Sequence, residues 1–208
     1  QPLMVIADPL TLRTLPPTHR RAGMAEAVKH GVIGDESYFH WIAAHGRTLL
    51  TSALDGEMAF RLVHDSIAVK VGVVSRDERE AGRRKILNFG HTIGHAVEHL
   101  SGYGVLHGDA VSIGMVAEAR LGELAGFTLP GLADDLRDLC AELGLPVSID
   151  ASFSTDAIIE LTRGDKKARA GSPEYALPMR LGEMNDAGGQ FSLPMDDALV
   201  REAIGAVR

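Results

Sequence analysis

The stretch that most constrains this chain runs from Leu87 to Val111, LNFGHTIGHAVEHLSGYGVLHGDAV, and holds four of the nine histidines. His91, His95 and His99 recur every four residues. On an α-helix such positions stack on one face, so the spacing predicts a histidine stripe. Gly102 ends that helix. After the GYG turn, His107 and Gly108 open a second helical pattern, AVSIGMVAEARLGEL. The chain must therefore double back, and His107 can face the first helix. Two imidazoles on one helix and a third from a returning segment suit a metal site. Zinc accepts His nitrogen and carboxylate oxygen and keeps a position open where it is catalytic. Spacing alone does not choose the ligands. A purely local reading takes His91 and His95 as the pair, and each could equally be a surface or hydrogen-bonded histidine.

Helical patterns cover most of the chain. The predicted fold is mostly α: a multi-helical domain with a short N-terminal strand and a small C-terminal β-hairpin. Leu3 to Ala7 (LMVIA) is the β-type run; too isolated to make a sheet of its own, it would complete a sheet belonging to missing upstream sequence or stay loosely held. LRTLPP is a turn-rich connector, and Thr18 is the expected N-cap of HRRAGMAEAVKHGVI. Asp35 should cap the next helix, which carries Trp41, and Arg47 to Leu54 reads as a separate short helix. Glu57 to Val74 reads as a long helix with Met58, Leu62, Ile67, Val71 and Val74 near one apolar face. Helices follow over Asp109–Gly126 and Pro130–Leu143, then one capped by Ser154, and a last one from Asp196 to Val207. Tyr175 to Leu181 and Gln190 to Leu193 form the expected hairpin.

Composition narrows the function. A formal charge of −7 argues against a nucleic-acid surface. No apolar run approaches membrane-spanning length. The single cysteine, Cys140, excludes an internal disulfide and a cysteine zinc site, which fits a reducing compartment and a cytoplasmic location. It reads as a small buried residue on a helix.

Two further groups stand out. Glu26, Lys29 and His30 lie at i, i+3 and i+4 of one predicted helix and share a face; the bland reading is a solvated charged surface. Arg84, Asn88, His91 and His95 are spaced by four, three and four. On one continuous helix they would set a guanidinium, an amide and two imidazoles along one side, a strip matched to an anionic, hydroxylated ligand. Lys70, late in its helix, suits the macrodipole. Asp165-Lys166-Lys167, ahead of Gly171, reads as a solvated turn.

The motifs NFGHTIGHAVE, GYG and HGDAV, together with RAGMAEAVKHGVI, resemble the zinc-binding part of the 3-dehydroquinate synthases, within the sugar-phosphate cyclases. The resemblance runs from about Pro2 to the C-terminus. It implies that Glu26, His91 and His107 bind the metal, Zn2+ with Co2+ as an alternative. It makes Lys29, Lys70, Arg84, Asn88, His95 and Lys166 substrate-binding or catalytic residues, with Lys167 the rival of Lys166. His99 gains no role and reads as solvated or capping. Asp109 departs from the family, which has Glu after HG, and little consequence is expected.

The resemblance covers only the C-terminal half of the family. Residues 1–17 then read as a remnant strand and connector from an N-terminal nucleotide-binding domain, and 18–208 as the helical metal- and substrate-binding domain. For a complete, homodimeric enzyme it implies conversion of a phosphorylated sugar acid, 3-deoxy-D-arabino-heptulosonate 7-phosphate, to 3-dehydroquinate and phosphate in the shikimate pathway. The C5 alcohol is oxidised with NAD, the acidified C6 proton and phosphate leave, the hydride returns, and ring opening and aldol closure follow. The NAD site is not in this chain, and the chain alone is expected to be inactive. The rival readings are another sugar-phosphate cyclase, a metal-dependent alcohol dehydrogenase of similar build, or a helical zinc-binding or dimerising module with no activity.

Overall fold

A computed structural model describes residues 3–51, 56–164 and 173–208. Eight α-helices carry these residues: α1 (Pro17–Gly34), α2 (Glu36–Thr51), α3 (Gly56–Val74), α4 (His91–Leu100), α5 (His107–Leu124), α6 (Leu132–Glu142), α7 (Thr155–Gly164) and α8 (Asp197–Ala206). Four short strands, β1 (Glu174–Tyr175), β2 (Pro178–Arg180), β3 (Glu183–Met184) and β4 (Leu193–Pro194), lie between α7 and α8. The mostly α, multi-helical expectation holds.

α5 is the axis of the fold. From Ala110 to Ala117 it carries only apolar or small residues on every side, and a helix of that kind belongs in the interior. Every residue from Gly108 to Ala119 is buried, with α1, α4, α6 and α8 packed around it. Small residues let the neighbours approach backbone to backbone. A Cβ at Gly108 would lie 1.9 Å from the Ala22 carbonyl oxygen of α1, and one at Gly114 would lie 1.9 Å from the Gly90 carbonyl oxygen at the start of α4. These two contacts bring α1, α4 and the N-terminus of α5 to one place. Gly114→Ala should therefore push α4 away, because the obstacle is backbone. The expected cost is roughly 2–3 kcal/mol, read as a melting midpoint lowered by about 5–10 °C; an unchanged midpoint would mean that the helices separate freely.

Several local expectations change. Leu3 to Ala7 forms no strand: Leu3, Met4, Val5 and Ile6 are exposed, and the run has no ladder partner among the described residues. A strand needs a neighbour to satisfy its backbone groups. The connector after it contains a 3-10 turn, Pro9–Arg13, capped by Asp8. α1 starts at Pro17 with Pro16 at the cap position, so Thr18 is not its N-cap; proline suits the first turn because no donor is needed there. Asp35 does cap α2, accepting from the Tyr38 N–H at 2.9 Å. Arg47 to Thr51 continues α2 instead of forming a separate helix. On α3 only Ala59 and Val73 are buried, while Ile67 and Val71 from the expected apolar face are exposed, as is Phe60. The expected single hairpin is two nested antiparallel pairs, β2 with β3 and β1 with β4. The chain reverses first at Leu181-Gly182, and only then returns to β1. Cys140 is buried on α6, as expected.

Candidate metal centre

Three helices deliver one side chain each. Glu26 comes from the middle of α1, His91 from the first residue of α4, and His107 from the first residue of α5. Glu26 Oε1 lies 3.4 Å from His91 Nε2 and 3.6 Å from His107 Nε2. The three ligand atoms all fall within 4.8 Å of one another. Donors bound tetrahedrally to zinc at about 2.0–2.1 Å sit about 3.4 Å apart, so this set fits the ion with little movement. A carboxylate and two imidazoles are also ligand chemistry that zinc accepts.

Each group is held in place. The His91 ring presents Nδ1 to the Phe89 carbonyl at 3.1 Å, which turns Nε2 toward Glu26. His107 presents Nδ1 to Glu98 Oε2 at 3.3 Å. Lys29 is buried; its Nζ contacts Glu26 Oε2 at 2.6 Å and donates to the Leu87 carbonyl at 2.9 Å. Burial works to raise the Glu26 carboxyl. The His91 hydrogen bond and the Lys29 ammonium outweigh it and hold Glu26 well below the usual carboxylate range. Burial lowers Lys29, against the opposing pull of Glu26.

The backbone under His91 is anchored from α5. Fully buried Glu118 accepts from the Gly90 N–H at 2.7 Å and the Ile93 N–H at 2.9 Å. These are unpaired donors at the start of a helix, where a carboxylate also suits the dipole. Burial pushes the Glu118 carboxyl up to about 8, against those donors. Gly90, at φ +79°, makes the turn that α4 needs to begin there.

A cleft of about 420 Å³ opens beside the three donors. Lys29, Lys70, Arg84 and Asn88 line it, together with Glu26, His91, His107, His30, Glu80 and Leu87. Lys70 is exposed at the C-terminal end of α3. Arg84 and Asn88 reach the cleft by a different route from the one expected. They lie on a 3-10 helix, Arg83–Asn88, and the chain turns at Gly90 before α4 starts. No continuous helical face joins them to His91 and His95. Arg84 donates to the Glu78 carbonyl at 2.7 Å, and Asn88 Nδ2 donates to Glu80 Oε1 at 3.0 Å. His95 is exposed outside the cleft lining, with its ring 5.3 Å from His91 and 5.9 Å from His107. His99 is exposed, its ring 6.0 Å from Tyr103. Lys166, its rival Lys167 and the rest of the DKK turn lie outside the described residues. Asp109 pairs with Arg21 of α1 at 2.9 Å, so the shorter carboxylate still ties α1 to α5.

Sequence reasoning missed four residues. Glu98 sits two helical turns after His91 on the same face, and that spacing was the available signal. Glu118 is a carboxylate inside an otherwise apolar run, a sign of a buried, satisfied acid. Glu80, in the loop between α3 and the 3-10 helix, lines the cleft and accepts from Asn88. His30, named for its helix face but given no role, also lines the cleft; its Nδ1 lies 2.7 Å from Ser66 Oγ, and burial lowers its ring to about 4. The described residues contain no strand leading through a glycine-rich turn into a helix.

Comparison with known proteins agrees with this architecture. The family model described as 3-dehydroquinate synthase C-terminal matches residues 23–168. The 3-dehydroquinate synthase of Thermosynechococcus vestitus is 40% identical over 205 residues, covering 98% of this chain and 54% of the relative. That of Synechocystis sp. is 38% identical over 206 residues, covering 99% of this chain and 56% of the relative. The chain thus spans about half the length of the curated relatives it matches. Among solved structures, 2-epi-5-epi-valiolone synthase from Streptomyces hygroscopicus subsp. jinggangensis, with NAD+ and Zn2+ bound, superposes at TM-score 0.82 and 22% identity, over 96% of this chain and 54% of that one. A 2-deoxy-scyllo-inosose synthase complexed with carbaglucose-6-phosphate, NAD+ and Co2+ gives TM-score 0.84 at 23% identity, over 97% of this chain and 55% of that one. These two likenesses establish the fold. By the match over residues 23–168, the chain belongs to the 3-dehydroquinate synthase family and carries its C-terminal region.

Proposed function

We propose that this chain is the metal- and substrate-binding part of a 3-dehydroquinate synthase, acting on 3-deoxy-D-arabino-heptulosonate 7-phosphate. The observation that carries the reading is the convergence of Glu26, His91 and His107 beside a cleft edged by Lys29, Lys70 and Arg84. Glu26, His91 and His107 would hold the ion. Zinc bound there supplies Lewis-acid polarisation of a substrate hydroxyl. The remaining work falls to the chain's own side chains. Lys29, Lys70, Arg84 and Lys166 would neutralise the substrate carboxylate and phosphate, and Asn88 would hydrogen-bond a hydroxyl. His95, at the rim, would relay a proton, a role suited to imidazole. Lys29 is already committed to Glu26 and a backbone carbonyl, which pre-orients it and avoids an ordering cost on binding. NAD would be held by a nucleotide-binding domain outside these residues, with residues 1–17 joining it to the helical part, 18–208. Homodimerisation of the complete enzyme belongs to the same proposal.

The test is a substrate panel run on a protein that joins this chain to its dinucleotide-binding domain. Phosphate release from the carboxylate-bearing substrate, and little from a sugar phosphate without the carboxylate, is the expected result. The reverse preference favours another cyclase, and steady NADH formation from simple polyols favours a dehydrogenase. In the same protein, Arg84→Ala and Lys166→Ala should each raise KM by roughly 10- to 100-fold, since a charge-assisted hydrogen bond contributes about 1.5–3 kcal/mol. The Arg84→Ala melting midpoint should stay within about 2 °C of the parent, because its side chain donates to a single exposed carbonyl. A large drop in melting temperature would make Arg84 a structural residue instead.

A further inference from the structure

We infer that Glu98 is the positioning residue for His107: its carboxylate accepts a hydrogen bond from Nδ1–H, which keeps the ring proton there and leaves Nε2 unprotonated and aimed at the metal point. The inference rests on the metal-site reading above. It comes from a symmetry between the two histidines. His91 has Nδ1 on a backbone carbonyl, that of Phe89, and Nε2 toward Glu26 Oε1. His107 has Nε2 toward the same Glu26 oxygen, and Nδ1 toward Glu98 Oε2 at 3.3 Å. Both rings are thus gripped from behind and present the same nitrogen. The grips differ because the backbones differ. His91 follows a turn whose carbonyl folds back under the ring. His107 is the first residue of α5, preceded by Leu106 in extended conformation, and takes its acceptor from the neighbouring helix.

Glu98 is well placed for this. It lies two turns along α4 from His91, so one helix supplies a ligand at its start and an orienting carboxylate further on. The Glu98 side chain is less exposed, at 20%, than the His107 ring it holds, at 47%. An exposed ring without such a hold would rotate and spread over both tautomers. A neutral imidazole carries a single proton, so placing it on Nδ1 leaves the Nε2 lone pair free to coordinate. The same carboxylate strengthens the ring as a donor.

A rival geometry exists, since Glu98, His95 and His107 also bring ligand atoms within 4.8 Å of one another. Their donor set shares His107 with the first cluster. Two positions drawing on one ring would need it to lose both protons, which makes orientation the simpler role for Glu98.

The experiment measures zinc affinity of the purified chain by chelator competition, beside the His107 tautomer from long-range 15N–1H NMR. Glu98→Leu, which removes the acceptor, should weaken zinc binding about 10- to 100-fold. Glu98→Gln keeps a neutral acceptor oxygen and should lose less. His107 in the parent should be the Nδ1–H tautomer and should become mixed in Glu98→Leu. Unchanged affinity in Glu98→Leu overturns the inference. So does an Nε2–H tautomer in the zinc-free parent, a readout that stands even if Glu98→Leu fails to fold. Loss of a second, weaker zinc equivalent with the first untouched also overturns it and assigns Glu98 to a separate cation position with His95. A parent chain that binds no zinc at all refutes the metal-site reading itself, a different result from any of these.

Discussion

His91→Ala should abolish tight zinc binding by this chain while leaving its fold intact. Glu26, His91 and His107 are the three donors that approach one point, and removing His91 leaves a carboxylate and one exposed imidazole. Loss of an orienting partner already costs a zinc site about 10- to 100-fold in affinity. Loss of a ligand should exceed that, so the variant should hold no zinc in dialysis against a buffer that saturates the parent. The fold should survive because His91 is the first residue of α4, and its hydrogen bond goes to a carbonyl only two residues away. The anchors of that helix, Glu118 with the Gly90 and Ile93 N–H groups, do not involve the ring. Thermal melts give an independent readout. Zinc at 100 times its Kd should stabilise the parent by about 2.7 kcal/mol through linkage, and His91→Ala should show no such rise. His95→Ala is the control that separates the two sequence readings. A local His91–His95 pair predicts that both variants lose zinc; the Glu26–His91–His107 set predicts that His95→Ala keeps it. Unchanged zinc stoichiometry in His91→Ala would remove it from the ligand set.

What the sequence conveyed about this site divides along physical lines. The doubling back at Gly102 and the opening of α5 at His107 follow from local helix signals, and both are where the spacing put them. Glu26 was different. Its i, i+3 pairing with Lys29 is indistinguishable from a solvated surface pair, and only the family motif raised it to a ligand. What brings it to His91 is the burial of α5, whose Gly108 and Gly114 admit α1 and α4 at backbone distance. That is a tertiary fact with no local signature. The Arg84–Asn88–His91 strip shows a converse error. The residues do converge, but on a 3-10 segment and a left-handed turn, because Gly90 can adopt positive φ and so breaks the helix that a count of residues would continue. The run Leu3 to Ala7 stays unpaired for a third reason: β-propensity describes how a residue suits a pleated surface, and no such surface is present among the described residues.

The remaining large effect is expected to be negative: this 208-residue chain by itself should not convert 3-deoxy-D-arabino-heptulosonate 7-phosphate to 3-dehydroquinate. The chemistry proposed for it begins with removal of a hydride from C5. A hydride needs an acceptor held against that carbon, and the common cradle for a dinucleotide is a strand, a glycine-rich turn and a helix N-terminus aimed at the pyrophosphate. Among the described residues, the β-type run Leu3 to Ala7 leads into Asp8-Pro9 and then a 3-10 turn. Until C5 is a ketone, the C6 proton is too weakly acidic to leave, and phosphate has no route out. The cleft compounds the problem. Lys70 is exposed to water, and a unit charge pair at 4 Å contributes about 1 kcal/mol in water against about 4 kcal/mol at the lower dielectric of a protein surface site. Substrate would bind weakly and without the exclusion of water that a second domain would bring. Zinc binding should nevertheless persist, since its donors all lie on α1, α4 and α5. The purified chain, supplied with NAD and zinc, should therefore bind the metal yet release phosphate no faster than the uncatalysed background. Turnover approaching about 1 per second, the low end of ordinary enzyme rates, would show that the helical domain contains the whole catalytic apparatus and would overturn the division of labour proposed for it.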